Sequence, residues 1–229
     1  MNLGKTNKNP LNNITAYLAG VIIGDGNVSN ASKSKKDKSK DYRITIEVTD
    51  LNFLINVEKL IKSIIKTKST VTKRSKIKEK RKQLYYFQFR NKSFYYFLTK
   101  DLEIPAGKKS NIVFVPNKIL KSNGLYPFFL AGVFDTDGGI RGKTPGFTSA
   151  SKKLIDGLSF ILNELKITHY LDSWVNKRYN QRYYGIKISV KDTDKFLNGL
   201  PSCNKEKLDK VLVHVDVPER SNGLEGLPI

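Results

Sequence analysis

Residues 18–26 read LAGVIIGDG and residues 130–138 read LAGVFDTDG, and these two strings decide the fold. They share Leu, Ala, Gly and Val and then Asp and Gly in register. The segments after the two strings repeat as well, because RITIEVT at 43–49 and GIKISV at 185–190 both alternate like half-buried strands. Each half is also predicted to contain an amphipathic helix, with Asp50 as the N-cap in the first half and Ser151 in the second. The repeats indicate a duplicated chain.

The end of each half also repeats, since IPAGKKSNI at 104–112 aligns with LPSCNKEKL at 200–208 and sets Lys109 on Lys205. Each unit then reads as helix, hairpin, helix, hairpin and short helix, and residues 116–126 form the natural linker. We predict an α+β protein built from two pseudo-symmetric halves, residues 1–115 and 127–220, with a polar tail at 221–229.

Small residues lie four apart in both motif copies: Gly20 and Gly24, Gly132 and Thr136. Glycine inside a helix costs about 1 kcal/mol relative to alanine, so these positions predict that another backbone approaches closely. The two motif helices are each other's obvious partners. If they pack side by side about a pseudo-twofold axis, Asp25 and Asp137 come together at their C-terminal ends.

Two carboxylates at adjacent helix C-termini are unfavourable unless a cation lies between them. Mg²⁺ suits such a site because it prefers oxygen ligands, takes few protein carboxylates and keeps water and phosphate oxygens as its other ligands. The backbone carbonyls of Gly24 and Thr136 would add ligands, and Mn²⁺ would substitute. Such a metal favours hydrolysis of a phosphodiester. The alternative is that Asp and Gly only end each helix, with Gly26 and Gly138 in left-handed caps.

The charge of the chain points to a polyanion. Lys and Arg number 41 against 21 Asp and Glu, which gives a formal net charge of +20 and a pI near 9.8. Nucleic acid is the expected partner, because phosphates neutralise such an excess. The alternatives are solubility alone, or an AT-rich genome that favours lysine codons.

Several classes of protein are excluded. One cysteine, Cys203, and two histidines, His169 and His214, cannot furnish a tetrahedral zinc site or an intrachain disulfide. No apolar run reaches the length of a membrane span, and residues 1–13 lack a signal-peptide core. We expect no membrane partner and no secretion.

The exposed rows of the predicted strands form a candidate DNA-binding face, since a twisted strand ribbon can enter a major groove. Ile44, Ile46 and Val48 are predicted to face the core, as are Tyr85, Phe87 and Phe89, and Ile186, Ile188 and Val190. The rows predicted to contact DNA are Arg43, Thr45 and Glu47, then Tyr86, Gln88 and Arg90, and then Lys187 and Ser189. The alternative is an ordinary solvated sheet face.

Basic runs lie at the predicted hairpin tips: Lys33, Lys35, Lys36, Lys38 and Lys40, then Lys73, Arg74, Lys76, Lys78, Lys80, Arg81 and Lys82. They are expected to contact phosphates without reading sequence, or else to form solvated loops. The second half offers fewer: Arg141, Lys143, Lys177, Arg178 and Arg182. An asymmetric DNA-binding surface is therefore predicted.

The strings LAGVIIGDG and LAGVFDTDG closely resemble the signature of the LAGLIDADG homing endonucleases, and two copies resemble that family's single-chain members. The resemblance implies a monomer shaped as a saddle of two αββαββα halves. It also implies Mg²⁺-dependent cleavage of a long double-stranded DNA site that leaves short 3′ overhangs. In that family the last acidic residue of each motif is a metal ligand, which here means Asp25 and Asp137.

The resemblance extends less closely to other positions. Polar residues near the metals organise water in that family, and the matching positions here are Asp50, Ser151, Lys109 and Lys205. The earlier Asp of the motif is present as Asp135 but is replaced by Ile23 in the first copy. The family's metal ligand is the later position, so catalytic competence is expected.

Two other functions stay open. Some members of this family assist the splicing of their host introns, so an RNA-binding intron maturase is the alternative, and a DNA-binding regulator without cleavage is the third hypothesis. Residues 1–13 and 216–229 are too short to hold a splicing domain, so we expect an intron-encoded or free-standing protein and not an intein. The expected location is the cytoplasm of a prokaryote, or the organelle that encodes the chain.

Overall fold

The computed structural model describes residues 10–31, 40–75, 82–178 and 180–214. The first half contains α1 (Asn13–Gly24), β1 (Gly26–Ser29), β2 (Arg43–Val48), α2 (Leu51–Ile64), β3 (Thr72–Lys73), β4 (Tyr85–Arg90) and α3 (Lys92–Tyr96), which continues as a π-helical turn, Phe97–Asp101. Helix α4 (Asn117–Leu120) and a 3₁₀ turn (Asn123–Leu125) lie within the predicted linker. The second half contains α5 (Tyr126–Asp137), β5 (Gly138–Arg141), β6 (Thr144–Ser149), α6 (Lys152–Glu164), β7 (His169–Asn176), β8 (Gln181–Ile188), a 3₁₀ turn (Val190–Asp192), α7 (Thr193–Asn198) and α8 (Lys205–His214).

Each half forms one four-stranded antiparallel sheet, and the two sheets share a strand order. The orders are β1-β2-β4-β3 and β5-β6-β8-β7. The predicted alternation places Ile44 and Ile46 of β2, and Phe87 and Phe89 of β4, in the core with no exposed surface. The predicted fold class, two α+β halves that each carry an antiparallel sheet, is confirmed.

The motif helices α1 and α5 pack against each other at the centre of the molecule. A Cβ atom on Gly20 would lie 2.5 Å from the carbonyl oxygen of Phe129, and one on Gly132 would lie 2.1 Å from that of Tyr17. Real Cβ contacts are never this short, so only glycine lets the two backbones meet. The small residues of the motif therefore have the packing role that their spacing predicts.

Side-chain caps fix where the flanking helices begin. Asp50 accepts a hydrogen bond from the backbone N–H of Phe53 at the start of α2, at 3.0 Å. Ser151 accepts from the N–H of Leu154 at the start of α6, at 3.4 Å. Both predicted caps are thus present, and each satisfies a backbone donor that the first helical turn leaves unpaired.

The end of β8 departs from the predicted pattern. Val190, predicted to face the core, is 75% exposed, whereas Ser189, predicted to face DNA, is 7% exposed. The reason is that the strand ends at Ile188 and the chain turns: the Ser189 N–H donates to Thr168, and its carbonyl accepts from the Thr193 hydroxyl. Both predictions extended the alternation two residues too far.

Several predicted phosphate contacts lie outside the described residues and stay predictions: Lys33, Lys35, Lys36, Lys38, Lys76, Lys78, Lys80 and Arg81. The same holds for the predicted tail at 221–229. Within the described ranges, no helix combines the length and the apolar character that crossing a bilayer requires.

Candidate active site

Asp25 and Asp137 lie at the C-terminal ends of the two central helices. Asp25 follows the last residue of α1 and donates its backbone N–H to Val21, at 3.0 Å, and Asp137 is the last residue of α5. The helices are so close here that a Cβ on Gly24 would lie 3.4 Å from the carboxyl carbon of Asp137. The structure therefore brings the two carboxyl groups together where both helix dipoles present their negative ends.

The glycine that follows each aspartate begins a strand and does not form a left-handed cap. Gly138 has φ −73°, and Gly26 is not among the described residues with positive φ. A Cβ on Gly26 would lie 2.5 Å from the Cα of Ile22. The glycine is needed because the strand folds back directly against the end of its helix.

The electrostatics of the pair are those of an anionic site that is only partly compensated. Both aspartates have exposed surface, but protein atoms surround their carboxyl groups and exclude part of the water. This partial burial raises the pKa of Asp25. Burial, followed by the nearby charge of Asp25, raises the pKa of Asp137 to about 6. Lys109 and Lys207 oppose both shifts. A cation between the carboxylates would remove the remaining repulsion.

Two half-buried lysines cap the ends of the motif helices. The Lys109 ammonium donates to the carbonyl oxygens of Ile23 and of Gly24, the latter at 3.0 Å. Lys207 donates to the carbonyls of Phe134, at 3.1 Å, and Thr136, at 2.6 Å. These carbonyls lie in the last turns of the helices, where backbone donors run out, although that of Phe134 also accepts from the Gly138 N–H. The carbonyls of Gly24 and Thr136, predicted as metal ligands, thus accept from ammonium groups.

Lys207, and not Lys205, is the counterpart of Lys109. Lys205 is the exposed first residue of α8, so the predicted alignment is wrong by two residues. The reason is local: Asn204 caps α8 by accepting from the Lys207 N–H at 3.0 Å. In the first half the corresponding segment is a loop that passes through Gly107 at φ 81°. An Asn followed by a helical pattern was the available signal.

Two clefts flank the carboxylates, and each joins groups from both halves. Asp25 and Lys207 line one cleft of about 640 Å³. Asp137 and Lys109 line the other, of about 610 Å³. The electrostatics agree with this pairing, because Lys207 lowers the pKa of Asp25 more than Lys109 does, and the order is reversed for Asp137. Each cleft therefore pairs the aspartate of one half with the lysine of the other.

Asp50 and Ser151, matched by resemblance to water-organising positions, differ in the structure. Asp50 lines the Asp25 cleft, where burial lowers the pKa of Lys207 and the charges of nearby aspartates, Asp50 among them, oppose that shift. Ser151 has no exposed surface, and its hydroxyl donates to the carbonyl of Val113 at 2.5 Å. Ser151 contacts neither cleft, because capping α6 and holding residue 113 occupy its hydroxyl. Its predicted catalytic role is wrong.

Gln83, which sequence reasoning missed, also lines the Asp25 cleft. Its amide nitrogen donates to the carbonyls of Arg74, at 2.7 Å, and Leu84, at 2.9 Å. Its amide oxygen is buried and has no hydrogen-bond partner among the described residues, which do not include 76–81. An unpaired buried acceptor costs free energy, which indicates that water or a bound group meets it. Gln83 precedes β4 and so carries no signal in the strand alternation.

The exposed face of the first sheet forms a groove of about 820 Å³ that begins at Asp25. Six of the residues predicted to contact DNA line it: Arg43, Thr45, Glu47, Arg74, Tyr86 and Gln88. Four others from the first half do not. Arg90 forms an ion pair with Asp41 at 2.5 Å, and Lys73 and Lys40 are exposed outside the groove lining. Lys82 lies in the lining of the Asp25 cleft.

The second sheet presents an aromatic face that sequence reasoning missed. The Arg141 guanidinium donates to Thr148, at 2.8 Å, and to Asp172, at 3.0 Å, and lies 4.5 Å from the Trp174 ring. Trp174 stacks on Tyr183 with 5.9 Å between centroids. The available signal was the alternation of Tyr and Trp in YLDSWVN at 170–176.

The remaining basic residues predicted for the second half surround this face. Lys143 is exposed at the turn between β5 and β6, and Lys177 and Arg178 are exposed at the turn between β7 and β8. Arg182 donates to the Ser173 hydroxyl at 3.3 Å, and Lys187 is half-buried within β8. The structure therefore places the hairpin-tip cations where a long anionic partner could meet them.

Comparison with known proteins agrees with this architecture. Residues 127–200 match the family model of the LAGLIDADG-like domain. The chain is 30% identical over 209 residues to a replication factor C small subunit of Methanocaldococcus jannaschii, which covers 90% of this chain and 10% of that protein. It is 29% identical over 225 residues to a probable translation initiation factor IF-2 of the same organism, which covers 93% of this chain and 17% of that protein. The chain thus spans less than a fifth of either relative.

Solved structures share the fold across most of the chain. The crystal structure of I-DmoI with DNA and Mn matches with a TM-score of 0.62 and 22% identity, covering 82% of this chain and 96% of that one. The homing endonuclease I-WcaI bound to its DNA recognition sequence matches with a TM-score of 0.60 and 19% identity, covering 90% and 88%. Residues 127–200 thus match a LAGLIDADG-like domain, residues 18–26 repeat its motif, and the chain shares the fold of these two structures.

Proposed function

We propose that the chain is a site-specific, double-strand DNA endonuclease that depends on a divalent metal. The observation that carries the proposal is the meeting of Asp25 and Asp137 at the ends of the duplicated helices, each in a cleft with a lysine. Proteins of the same fold are named as homing endonucleases in complexes with DNA and Mn, Mg or Ca. The names of the two long relatives describe unrelated activities, so neither is transferred.

The donors present fit a hard divalent cation. Within the described residues no three His, Cys, Asp or Glu side chains cluster, so a pair of carboxylates would hold the metal. Mg²⁺ tolerates this because it keeps water and substrate phosphate oxygens as ligands, and Mn²⁺ would substitute. When bound, the metal supplies Lewis acidity and a bound water of lowered pKa. The unpaired oxygen of Gln83 is placed to accept a hydrogen bond from water in the Asp25 cleft.

The two lysines provide the positive charge that a phosphodiester requires. Lys109 and Lys207 are held by helix carbonyls, so their ammonium groups are positioned before substrate arrives. A fixed cation beside the scissile phosphate stabilises the charge that develops on its oxygens during hydrolysis. Asp50 lines the cleft of Asp25, where its carboxylate can orient water.

Two clefts suit a duplex, because each can address one strand. We further propose hydrolysis of one bond in each strand to leave 3′ overhangs, action as a monomer, and encoding within an intron, with the protein located where it is made. The groove that runs from Asp25 along the first sheet supports a long DNA site. No contact in the described residues favours intron RNA as the partner.

The test is cleavage of a randomised or candidate-intron-site DNA library in Mg²⁺. The parent protein is compared with the double variant Asp25→Asn, Asp137→Asn and with Asp156→Asn, a control whose carboxylate pairs with Lys152 on the surface of α6. We expect breaks at one sequence from the parent and the control, and a loss of about 10³-fold or more in the double variant, which still binds DNA. Binding without breaks in all three proteins would contradict the proposal and favour the maturase or the regulator.

A further inference from the structure

The earlier acidic residue of the second motif, Asp135, is the centre of a buried hydrogen-bond network. It is 2% exposed. Its carboxylate accepts from the Tyr17 hydroxyl at 2.5 Å, the Ser202 hydroxyl, the Cys203 N–H at 2.8 Å and the Asn204 N–H at 3.2 Å. Tyr17 belongs to α1, so the network also joins the two halves of the molecule.

Residues 202–204 lead directly into the helix that carries Lys207. Asn204 donates its side-chain N–H to the Asp135 carbonyl at 3.1 Å and accepts from the Lys207 N–H at 3.0 Å. Lys207 then reaches back to the carbonyl of Thr136, next to Asp135. The position of the ammonium group is therefore set through a short chain of contacts that begins at the Asp135 carboxylate.

The first half lacks this anchor. The equivalent position holds Ile23, a buried side chain that cannot accept a hydrogen bond. The loop before Lys109 is held instead by the Gly107 N–H, which donates to the carbonyl of Val28 at 2.9 Å in β1. The two lysines thus occupy matching places by different means.

Stability alone does not account for Asp135. Burying a carboxylate costs free energy, and replacing a buried polar group together with its partners by well-packed apolar residues is often neutral or stabilising. The first half shows that an apolar side chain fits this position of the motif helix. A fully satisfied buried network does, however, fix one arrangement of the loop that it bonds.

We infer that Asp135 is a positioning residue that holds Lys207 in the Asp25 cleft, so that one of the two cleavage sites depends on it and the other does not. The inference rests on the proposed endonuclease function. The Asp137 cleft, with Lys109, has its own anchor at β1 and is independent of the Asp135 network. The two DNA strands are therefore cut by two sites whose lysines are held in place by different contacts.

The first test measures the cleavage of each strand of a doubly end-labelled target separately. In Asp135→Ile, which gives the second motif the residue of the first, we expect one strand to be cut about tenfold or more slowly and the other within about twofold of the parent. Nicked duplex should accumulate. Lys207→Met should slow the same strand, and Asp135→Asn, which keeps an acceptor for the loop, should restore most of the rate. Equal slowing of both strands by Asp135→Ile would overturn the inference.

The second test needs neither metal nor DNA. Lysines of the metal-free protein are acylated, and the labelling of Lys207 is divided by that of Lys109. We expect this ratio to rise at least about threefold in Asp135→Ile, because the helix carbonyls no longer hold the ammonium group. Ser202→Ala, which removes one hydrogen bond and is expected to fold, should shift the ratio in the same direction by less. An unchanged ratio in both variants would overturn the inference even if the parent cut DNA normally, and a raised ratio would support it even if no cleavage were found.

Discussion

The two halves of the molecule share a fold but stabilise their sites differently. Both carry a motif helix that ends in a carboxylate and a lysine that caps that helix. In the first half the lysine lies on a loop through Gly107, and in the second it lies in the first turn of α8, fixed through Asp135. Both halves carry the close backbone contact and the carboxylate, which meet at the pseudo-twofold axis. The supporting contacts belong to one half each, so they are free to differ.

The exposed faces of the two sheets differ in the same sense. In the first, Thr45 and Gln88 lie opposite each other in the groove, and within the described residues their side chains have no hydrogen-bond partner. In the second, the Arg141 guanidinium group already donates hydrogen bonds to Thr148 and Asp172 and lies against the Trp174 ring. The first face also has an arginine, Arg74, that pairs with Glu47 and lies 5.1 Å from the Tyr86 ring, but it leaves Thr45 and Gln88 free for a partner.

The contact between the halves should be the most sensitive feature, because both depend on it equally. Gly132→Ala and Gly20→Ala place a methyl group 2.1 Å and 2.5 Å from backbone oxygens of the facing helix. We expect each to lower the free energy of unfolding by about 2–4 kcal/mol, with Gly132→Ala the more damaging, despite the helix propensity gained. Thermal unfolding measures this as a fall of about 5–15 °C in Tm.

Gly124→Ala is the matched control, because no atom lies within 4 Å of the added Cβ. It should unfold at the temperature of the parent. If Gly132→Ala did so as well, the close approach of α1 and α5 would be contradicted, and with it the geometry that brings the two carboxylates together.

Periodicity and repetition were enough to predict the fold and the central pair. Alternation identified β2 and β4, and small residues four apart in the motifs identified the contact between α1 and α5. Local signals failed where tertiary contacts decide the outcome. Lys205 and Lys207 lie two residues apart in the same string, and only the cap at Asn204 and the position of α5 select Lys207. The Asp135 carboxylate accepts from a tyrosine 118 residues before it and from a loop about 68 residues after it, contacts that no local pattern reveals.

The difference between the sheet faces should separate binding from stability. We expect Gln88→Ala to weaken DNA binding about tenfold, mainly at one or two base pairs, with Tm unchanged, because its amide is free to meet a base edge.

Arg141→Ala should lower the free energy of unfolding by about 1–2 kcal/mol, because Asp172 loses its ion-pair partner and the Trp174 ring becomes more exposed. It should weaken DNA binding regardless of sequence. Titration of the target and of single-base variants, beside thermal unfolding, distinguishes the two. Loss of stability in Gln88→Ala, or a base-specific loss in Arg141→Ala, would reverse the assignment of the faces.

The smallest effect should come from the repulsion between the two carboxylates in the metal-free protein. Burial and the charge of Asp25 raise the pKa of Asp137 from 3.8 to about 6, so the folded protein binds more protons than the unfolded one between these pH values. The stability of the folded protein therefore falls as pH rises through this window, and the loss is complete above it.

Asp137→Asn should raise the free energy of unfolding at pH 7 by about 1 kcal/mol, allowing for solvent screening at this open site, and Tm by about 2–4 °C. The gain should vanish near pH 4. Asp25→Asn should give a similar gain, because burial also raises the pKa of Asp25 and either substitution removes the repulsion between the two carboxylates. Thermal unfolding in EDTA across this pH range measures both variants, and Mg²⁺ should then stabilise the parent more than either. A variant less stable than the parent at pH 7 would mean that the carboxylates do not repel, and that the two halves meet without the electrostatic strain a metal is proposed to relieve.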